Sequence, residues 1–188
     1  MKQAKTLNER ELKTVLAICA TRRYAERDRV IVLMSFYAGL RAKEIAALTI
    51  GNVIGDDGCV RSECVLAAQQ TKGRSARRIF FNSKLQRELG TYIKTLDRPD
   101  PAMPLFLTQK RTGFTANSMC HLFIDIYKNA GIDGASSHSG RRSLLTALAS
   151  KGVSVRVLQE VAGHSSIAVT QRYIDVNDHQ MRAAIEMV

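Results

Sequence analysis

Two basic side chains stand where the surrounding backbone could help to bind a phosphate group. Arg41 follows Gly39 and opens a predicted helix, whose free N–H groups and positive dipole end favour an anion. Glu44 lies three residues further on the same helical face and could fix the guanidinium. Lys72 lies in a predicted β-turn among other basic residues, from which its tip could enter a DNA groove. A surface ion pair and a solvated basic turn remain the alternatives when each pattern is taken alone.

Two histidines, an arginine and a tyrosine in the C-terminal half could serve the same chemistry. His138 and Arg141 are three residues apart, so in a helix they share one face and could reach a single phosphoryl group. His164 follows a predicted helix end at Gly163, and Tyr173 comes nine residues later. An incidental histidine at a helix start, a helix-capping histidine and a core tyrosine are the alternative explanations.

The periodicity of apolar residues defines the elements that must hold these side chains. The first helix begins at the capping-box sequence Thr6-Leu7-Asn8-Glu9. Three antiparallel strands are predicted where Val, Ile and Cys residues alternate with two turn sequences, near 52–55, 59–69 and 76–81. The predicted helices cover 6–19, 25–37, 41–48, 83–96, 116–130, 140–150, 154–162, 166–173 and 177–187.

The predicted fold class is mainly α, within the α+β class. It is a helical domain with a small three-stranded antiparallel sheet inserted after the third helix. The 188 residues contain no internal repeat, low-complexity tract or linker long enough to divide them. Residues 1–188 are therefore expected to form a single domain. A chain of this length buries about 70% of its unfolded surface, so it needs no disulfide or metal to hold a core.

The net charge of the chain indicates a polyanionic partner. The sequence has 28 Lys and Arg residues against 17 Asp and Glu, a formal charge of +11. Residues 61–111 hold eleven basic and four acidic side chains, which accounts for +7 of that excess. Such a basic face favours nucleic acid over an anionic membrane or an acidic protein. The candidate DNA-contacting residues are Arg74, Arg77, Arg78, Lys110, Arg111 and Arg142.

Several other classes of protein are excluded by the sequence. The apolar stretch at 30–40 is too short to span a bilayer, and Arg29 and Arg41 close it. The first residues lack the apolar core of a signal peptide. The four cysteines form no C-x-x-C pair, and no cluster of Asp, Glu, His or Cys has metal-ligand spacing. We therefore expect a cytoplasmic, nucleoid-associated protein with reduced thiols, no cofactor and no metal.

The ordered set of candidate residues resembles the catalytic constellation of the tyrosine recombinase (phage integrase) family. The segment Ala38-Gly39-Leu40-Arg41-x-x-Glu44-Ile45 is similar to that family's first-arginine box. Gly163-His164-Ser165-Ser166, followed by Thr170-x-x-Tyr173, is similar to its C-terminal box. The resemblance extends from about Thr6 to the end of the chain. The catalytic residues that it implies are Arg41, Lys72, His138, Arg141, His164 and Tyr173.

Two features depart from the family pattern. Gly140 and Arg142 stand where the family more often has Leu and His, so altered packing and one further phosphate contact are expected. The helical core-binding domain that most members carry before the catalytic one has no room here. The chain therefore resembles short, catalytic-domain-only members such as fimbrial-switch invertases, or a piece of a longer protein.

The resemblance implies transesterification at a DNA phosphodiester. Tyr173 would attack the phosphorus and form a 3′-phosphotyrosyl link, with no need for ATP. Arg41, Arg141 and His164 would stabilise the charge on the non-bridging oxygens. His138 would accept the phenol proton, and Lys72 would protonate the leaving 5′-oxygen. Arginines and a lysine around the phosphate would do what Mg²⁺ does elsewhere, so the reaction is expected to be metal-independent.

The implied partner is double-stranded DNA, on which four protomers would form a tetrameric synapse, with a monomer in solution. Accessory DNA-bending proteins would complete the assembly, and no membrane is involved. One alternative function is strand relaxation like that of a type IB topoisomerase. Another is a catalytically silent DNA-binding regulator on the same fold, although all six catalytic positions are filled.

Overall fold

The computed structural model describes residues 3–71, 75–97, 100–174 and 185–186. Within these ranges helices predominate and one pair of strands lies between the fourth and fifth helices. The elements are α1 (Glu9–Ala20), α2 (Ala25–Tyr37), α3 (Ala42–Ala46), α4 (Ile50–Val53), β1 (Glu63–Leu66), a 3₁₀ turn (Ala68–Gln70), β2 (Arg77–Phe80), α5 (Ser83–Ile93), α6 (Ala116–Asn129), α7 (Ser139–Ser150), α8 (Val155–Ala162) and α9 (Ile167–Gln171).

Helix α2 lies at the centre of the core. Residues 30–34 are all buried because α1, α5 and α7 pack around the helix. A helix that is apolar on every side has to be enclosed in this way. The buried carboxylate of Asp28 near its start accepts hydrogen bonds from Nε of Arg22 at 2.7 Å and Nε of Arg27 at 2.9 Å. The central helix therefore starts near an ion-paired cluster and ends at Tyr37, two residues before Gly39.

Helix α1 begins two residues later than the predicted capping box. Asn8, not Thr6, is the N-cap: its side chain accepts from the N–H of Glu11 at 2.8 Å, and the Glu11 carboxylate accepts from the N–H of Asn8 at 2.9 Å. The predicted N-cap was wrong by two residues, because Thr6-x-x-Glu9 and Asn8-x-x-Glu11 both fit the capping pattern. Burial of Leu7 and Leu12 favours the second, since it turns both toward the core.

The predicted three-stranded sheet is a pair of antiparallel strands in the described residues. Cys64 pairs with Ile79 and Leu66 with Arg77 across the ladder, and these face the protein. Their neighbours Val65 and Phe80 are exposed, as the two-residue period of a strand requires. The mainly helical α+β class is confirmed, whereas the third strand is not.

The segment predicted as the first strand, 52–55, overlaps a helical turn instead. Helix α4 starts after Thr49, whose N–H donates to the side-chain oxygen of Asn52 at 3.0 Å. Ile54, after the turn, makes an isolated bridge with Val60. A segment of four residues, of which Val53 and Ile54 are the large apolar ones, carries too little periodicity to separate a helical turn from a strand, so local capping decided the outcome.

The C-terminal elements differ from prediction mainly at their ends. Helix α9 ends at Gln171, so Tyr173 lies two residues beyond it and not inside a helix. The helix predicted over 177–187 lies almost entirely outside the described residues. Among the helices that the structure does describe, none has the length and apolar character needed to cross a membrane.

Helices α2 and α7 approach closely at Gly140, and we expect Gly140→Ala to destabilise the fold. An added Cβ would lie 2.9 Å from Oγ of Ser35 and 3.1 Å from the backbone nitrogen of Phe36. Such overpacking lowers the free energy of unfolding by about 1–3 kcal/mol, measurable by urea denaturation. The control is Gly90→Ala in α5, whose Cβ would meet only Val60 at 3.8 Å. That variant gains helix propensity and should not be destabilised; equal losses in both variants would contradict the prediction.

Candidate active site

Ends of several elements converge on one cleft of about 760 Å³. The start of α3, strand β2, helix α8 and the residues after α8 contribute to its wall. Arg41, Arg77 and His164 line it, and Arg141 lies buried behind them, within electrostatic reach of Arg41 and Arg77. The cleft therefore collects positive charge from distant parts of the chain, from Arg41 to Arg141.

Arg41 is held by the acidic residue that the sequence placed on its helical face. Its Nη1 donates to Oε1 of Glu44 at 2.9 Å, and its backbone N–H donates to Oε2 at 2.8 Å. Glu44 is fully buried, and the Arg41 side chain is 20% exposed. Gly39 takes the left-handed conformation at φ 63°, which turns the chain from α2 into α3. The guanidinium is thus fixed in direction while one side stays open to the cleft.

Arg141 lies on the first turn of α7 and is buried. Its Nη1 donates to the carbonyl of Gly39 at 2.6 Å, and its Nη2 contacts both the carbonyl of Ala162 and Nε2 of His164. The pKa of Arg141 is lowered to about 9, mainly by burial and to a lesser extent by the charges of Arg41 and Arg77. The guanidinium is therefore still protonated at neutral pH and can stabilise an anion.

The C-terminal end of α8 is where the arginines meet. The carbonyl of Ala162 accepts from both Arg77 and Arg141, and the carbonyl of Gly163 accepts from Nη2 of Arg41 at 3.2 Å. Gly163 ends the helix in the left-handed conformation at φ 58°. The last carbonyls of a helix carry partial negative charge, so this end attracts cations.

His164 is neutral, and its hydrogen bonds fix its tautomer. A guanidinium only donates, so Nε2, which lies 3.1 Å from Nη2 of Arg141, must accept. The single ring proton is then on Nδ1, which donates to Oγ1 of Thr170 at 2.9 Å. Burial and the nearby arginines lower the pKa of His164 to about 4. The hydrogen bond that the sequence predicted from His164 to a phosphate oxygen requires the proton to move to Nε2.

Tyr173 lies in the site of its own chain. Its ring stacks on the His164 ring, with centroids 5.8 Å apart and planes inclined by 16°. The guanidinium of Arg142 lies 5.5 Å from the Tyr173 centroid, so this predicted DNA contact touches the phenol ring in the present structure. The structure thus brings together four of the six predicted catalytic residues: Arg41, Arg141, His164 and Tyr173.

The remaining predicted residues are placed less directly. Lys72 and Arg74 lie outside the described residues. His138 is exposed at the start of α7, about one helical turn before Arg141. Lys110 and Arg111 are exposed in the loop before α6, where Arg111 has φ 57°. Their roles stay predictions.

Two side chains belong to the site although sequence reasoning did not assign them to it. Arg77, predicted beside Arg78 as a surface DNA contact, has a side chain only 9% exposed, whereas that of Arg78 is 62% exposed. The two-residue period of β2, which puts Arg77 on the same face as Ile79, would have separated them. Thr170 positions His164, and its place three residues before Tyr173 gave no sign of that contact.

The lowered pKa of His164 predicts a loss of stability in acid. Between its usual pKa near 6.5 and the folded value of about 4, the unfolded chain binds a proton that the folded site excludes. This contribution to stability is therefore present above pH 6.5 and is lost as the pH falls toward 4. His164→Gln, which cannot titrate, should lose less unfolding free energy than the wild type between these pH values in urea denaturation. Equal losses would show that His164 is not held neutral.

Known proteins resemble this chain both in sequence and in fold. Residues 5–180 match the Phage integrase family. Tyrosine recombinase XerA of Pyrococcus furiosus is 28% identical over 185 residues, covering 97% of this chain and 61% of that protein. The crystal structure of XerA recombinase superposes with a TM-score of 0.75 at 24% identity, covering 99% of this chain and 66% of the other. The structure of the Tn1549 transposon integrase in complex with a circular intermediate DNA superposes with a TM-score of 0.77 at 19% identity, covering 100% of this chain and 67% of the other.

The family match is long and includes the whole of the site. It runs from before α1 to beyond Tyr173, and so takes in Arg41, Arg141 and His164. The chain nevertheless spans less than two thirds of the length of the XerA proteins that it matches. Over nearly all of its own length, the chain belongs to the phage integrase family.

Proposed function

We propose that this chain is the catalytic part of a site-specific DNA recombinase that cleaves and rejoins strands through a 3′-phosphotyrosyl intermediate. The observation that carries the proposal is the stacking of the Tyr173 ring on the His164 ring, with centroids 5.8 Å apart. The same imidazole accepts a hydrogen bond from Arg141. A phenol and a buried guanidinium thereby both contact His164, which lines the same cleft as Arg41. The names of the related recombinases, and the DNA bound to the Tn1549 integrase, support this choice.

In the cleavage step, Oη of Tyr173 attacks the scissile phosphorus. A bond forms between phosphorus and the tyrosine oxygen, and the bond to the 5′-oxygen breaks. The energy of the phosphodiester is kept in the new ester, so a 5′-hydroxyl can attack it and restore the DNA without ATP. Recombination results when that hydroxyl comes from a partner strand.

The transition state gathers negative charge on the non-bridging oxygens, which the arginines offset. Arg41 and Arg141 present planar donors that can bind two oxygens each. Hydrogen-bond donors that are fixed in place before the reaction contribute most where water is excluded. One such donor typically raises the reaction rate by a factor of about 10² to 10³. Glu44 fixes Arg41, and Gly39 and Ala162 fix Arg141. With the charge offset in this way, we expect the reaction to proceed without a metal ion.

Two proton transfers complete the step. The phenol of Tyr173 has to lose its proton, and we assign His138 as the acceptor because it lies about one helical turn before Arg141. The leaving 5′-oxygen has to gain a proton, and we assign Lys72, from the segment between β1 and β2, as its donor. These roles rest on the family pattern.

The substrate would be double-stranded DNA, bound by the basic surface around the sheet. We propose that four copies assemble on two DNA sites as a tetrameric synapse, from monomers off the DNA, with DNA-bending proteins assisting. The protein would then act at the nucleoid. We also propose that residues 1–188 work as one catalytic domain, since α1 to α6 and both strands contribute to a continuous apolar core.

The Tyr173→Phe variant tests the nucleophile. Wild-type protein incubated with a pool of nicked, sequence-randomised duplexes should form a covalent complex that survives denaturation, and sequencing the trapped DNA gives the site. The variant should bind the same DNA with unchanged affinity and form no adduct, since Phe lacks the attacking oxygen. An adduct in the variant would remove Tyr173 from its role. Plasmid relaxation by the wild type without strand exchange would instead favour a topoisomerase.

The exposed arginine of β2 tests the DNA-binding surface. Arg78→Ala should weaken binding to duplex DNA and reduce the slope of log affinity against log salt by about 1, because one phosphate contact fewer releases one counterion fewer. Arg29→Ala serves as the control, since Arg29 is occupied by Glu88 at 2.6 Å. Fluorescence anisotropy at several salt concentrations measures both. Identical slopes for wild type and Arg78→Ala would contradict a role for this strand in DNA contact.

A further inference from the structure

The guanidinium of Arg77 has an unused binding edge. Its Nη1 donates to the carbonyl of Ala162, but Nε and Nη2 are buried and have no hydrogen-bond partner among the described residues. These two nitrogens form the edge of a guanidinium that grips two oxygens of a carboxylate or phosphate at once. The side chain is only 9% exposed, so water does not satisfy the donors either.

Other arginines of the chain show how this edge is normally filled. Arg29 uses Nε and Nη2 to bind both oxygens of Glu88, at 2.7 and 2.6 Å. Arg27 uses the same two atoms on one oxygen of Asp28, at 2.9 and 2.7 Å. The carboxylate near Arg77 belongs to Glu44, lies 3.7 Å from Nη1 and already accepts from Arg41. Arg77 therefore shares the Glu44 carboxylate with Arg41 at a longer distance, and no carboxylate of the described residues binds its Nε and Nη2.

A structural role does not explain an arginine at this position. Burial, together with the charge of Arg41, lowers the pKa of Arg77, and Glu44 offsets this only in part. A buried cation with unmade hydrogen bonds disfavours the folded state. The neighbouring backbone is also unusually close, since a Cβ on Gly163 would lie 2.8 Å from Cδ of Arg77. An apolar residue opposite Leu66 on this inner face would pack without such costs.

We propose that Arg77 is a third arginine for the scissile phosphate, which it binds through Nε and Nη2. The inference deepens the proposed function and rests on it. Arg77 lines the same cleft as Arg41 and His164, and a phosphodiester supplies the two oxygens that the empty edge requires. Because that edge is enclosed in the free protein, the contact forms when the guanidinium turns into the cleft and exchanges the Ala162 carbonyl for phosphate oxygens.

The test compares Arg77→Met with wild type on two DNA substrates that carry the site mapped with wild-type protein. One has the natural phosphodiester, and the other has a neutral methylphosphonate at the scissile position. At saturating DNA, the variant should form the covalent adduct about 100-fold more slowly than wild type on the phosphodiester, but within about threefold on the methylphosphonate, where less charge needs offsetting. Arg29→Met, outside the cleft and paired with Glu88, should match wild type on both.

Thermal unfolding separates this role from a structural one. Removing a poorly partnered buried cation, and with it the repulsion toward Arg41 and Arg141, should leave the melting temperature of Arg77→Met equal to or above that of wild type. A lower melting temperature, or the same rate loss on both substrates, would overturn the proposal. Equal cleavage rates in wild type and Arg77→Met would also overturn it and leave the proposed function intact. If wild type itself forms no adduct, the proposed function fails and this inference with it.

Discussion

Like charges repel most strongly where water is scarce, and this fold has to hold three guanidinium groups around one small cleft. Besides burial, the charge of Arg41 lowers the pKa of both Arg77 and Arg141. The buried carboxylate of Glu44 cannot neutralise all three arginines, so the rest of the compensation comes from backbone dipoles at the end of α8. His164 stays neutral for the same reasons, because its ring is partly buried and a fourth positive charge would be unfavourable there.

The architecture follows from that requirement. Helix ends and a strand face, not helix middles, supply the site, because only there are backbone carbonyls and N–H groups free to hold ionic side chains. Gly39 and Gly163 adopt left-handed conformations at two of those ends, which lets α3 and the His164 segment turn back toward the cleft. The apolar core around α2 holds these element ends in fixed positions relative to one another.

The helices and the order of the site residues along the chain could be predicted from the sequence, whereas the contacts around those residues could not. Long amphipathic segments such as α5 and α6 carry several turns of periodic signal, whereas residues 52–55 carry one, and the strand predicted there is a helical turn. The convergence of Arg41, His164 and Tyr173 could be expected only from the family pattern, because no local rule brings residues this far apart together. The enclosure of Arg77, the tautomer of His164 and the stacking of Tyr173 depend on contacts between distant segments. These appear only once the chain is folded.

The carbonyls at the end of α8 couple occupancy of the cleft to the freedom of the segment that carries His164 and Tyr173. Ala162 and Gly163 are tied to three arginines that come from β2, α7 and the start of α3. If those arginines turn to a phosphate, the tether on the last turn of α8 is released at the moment when the ligand arrives. The residues after Gly163 lead directly to His164 and on to Tyr173. Filling the cleft with an anion would therefore loosen the attachment of Tyr173, so that the empty cleft holds this ring against His164 and a filled cleft would release it.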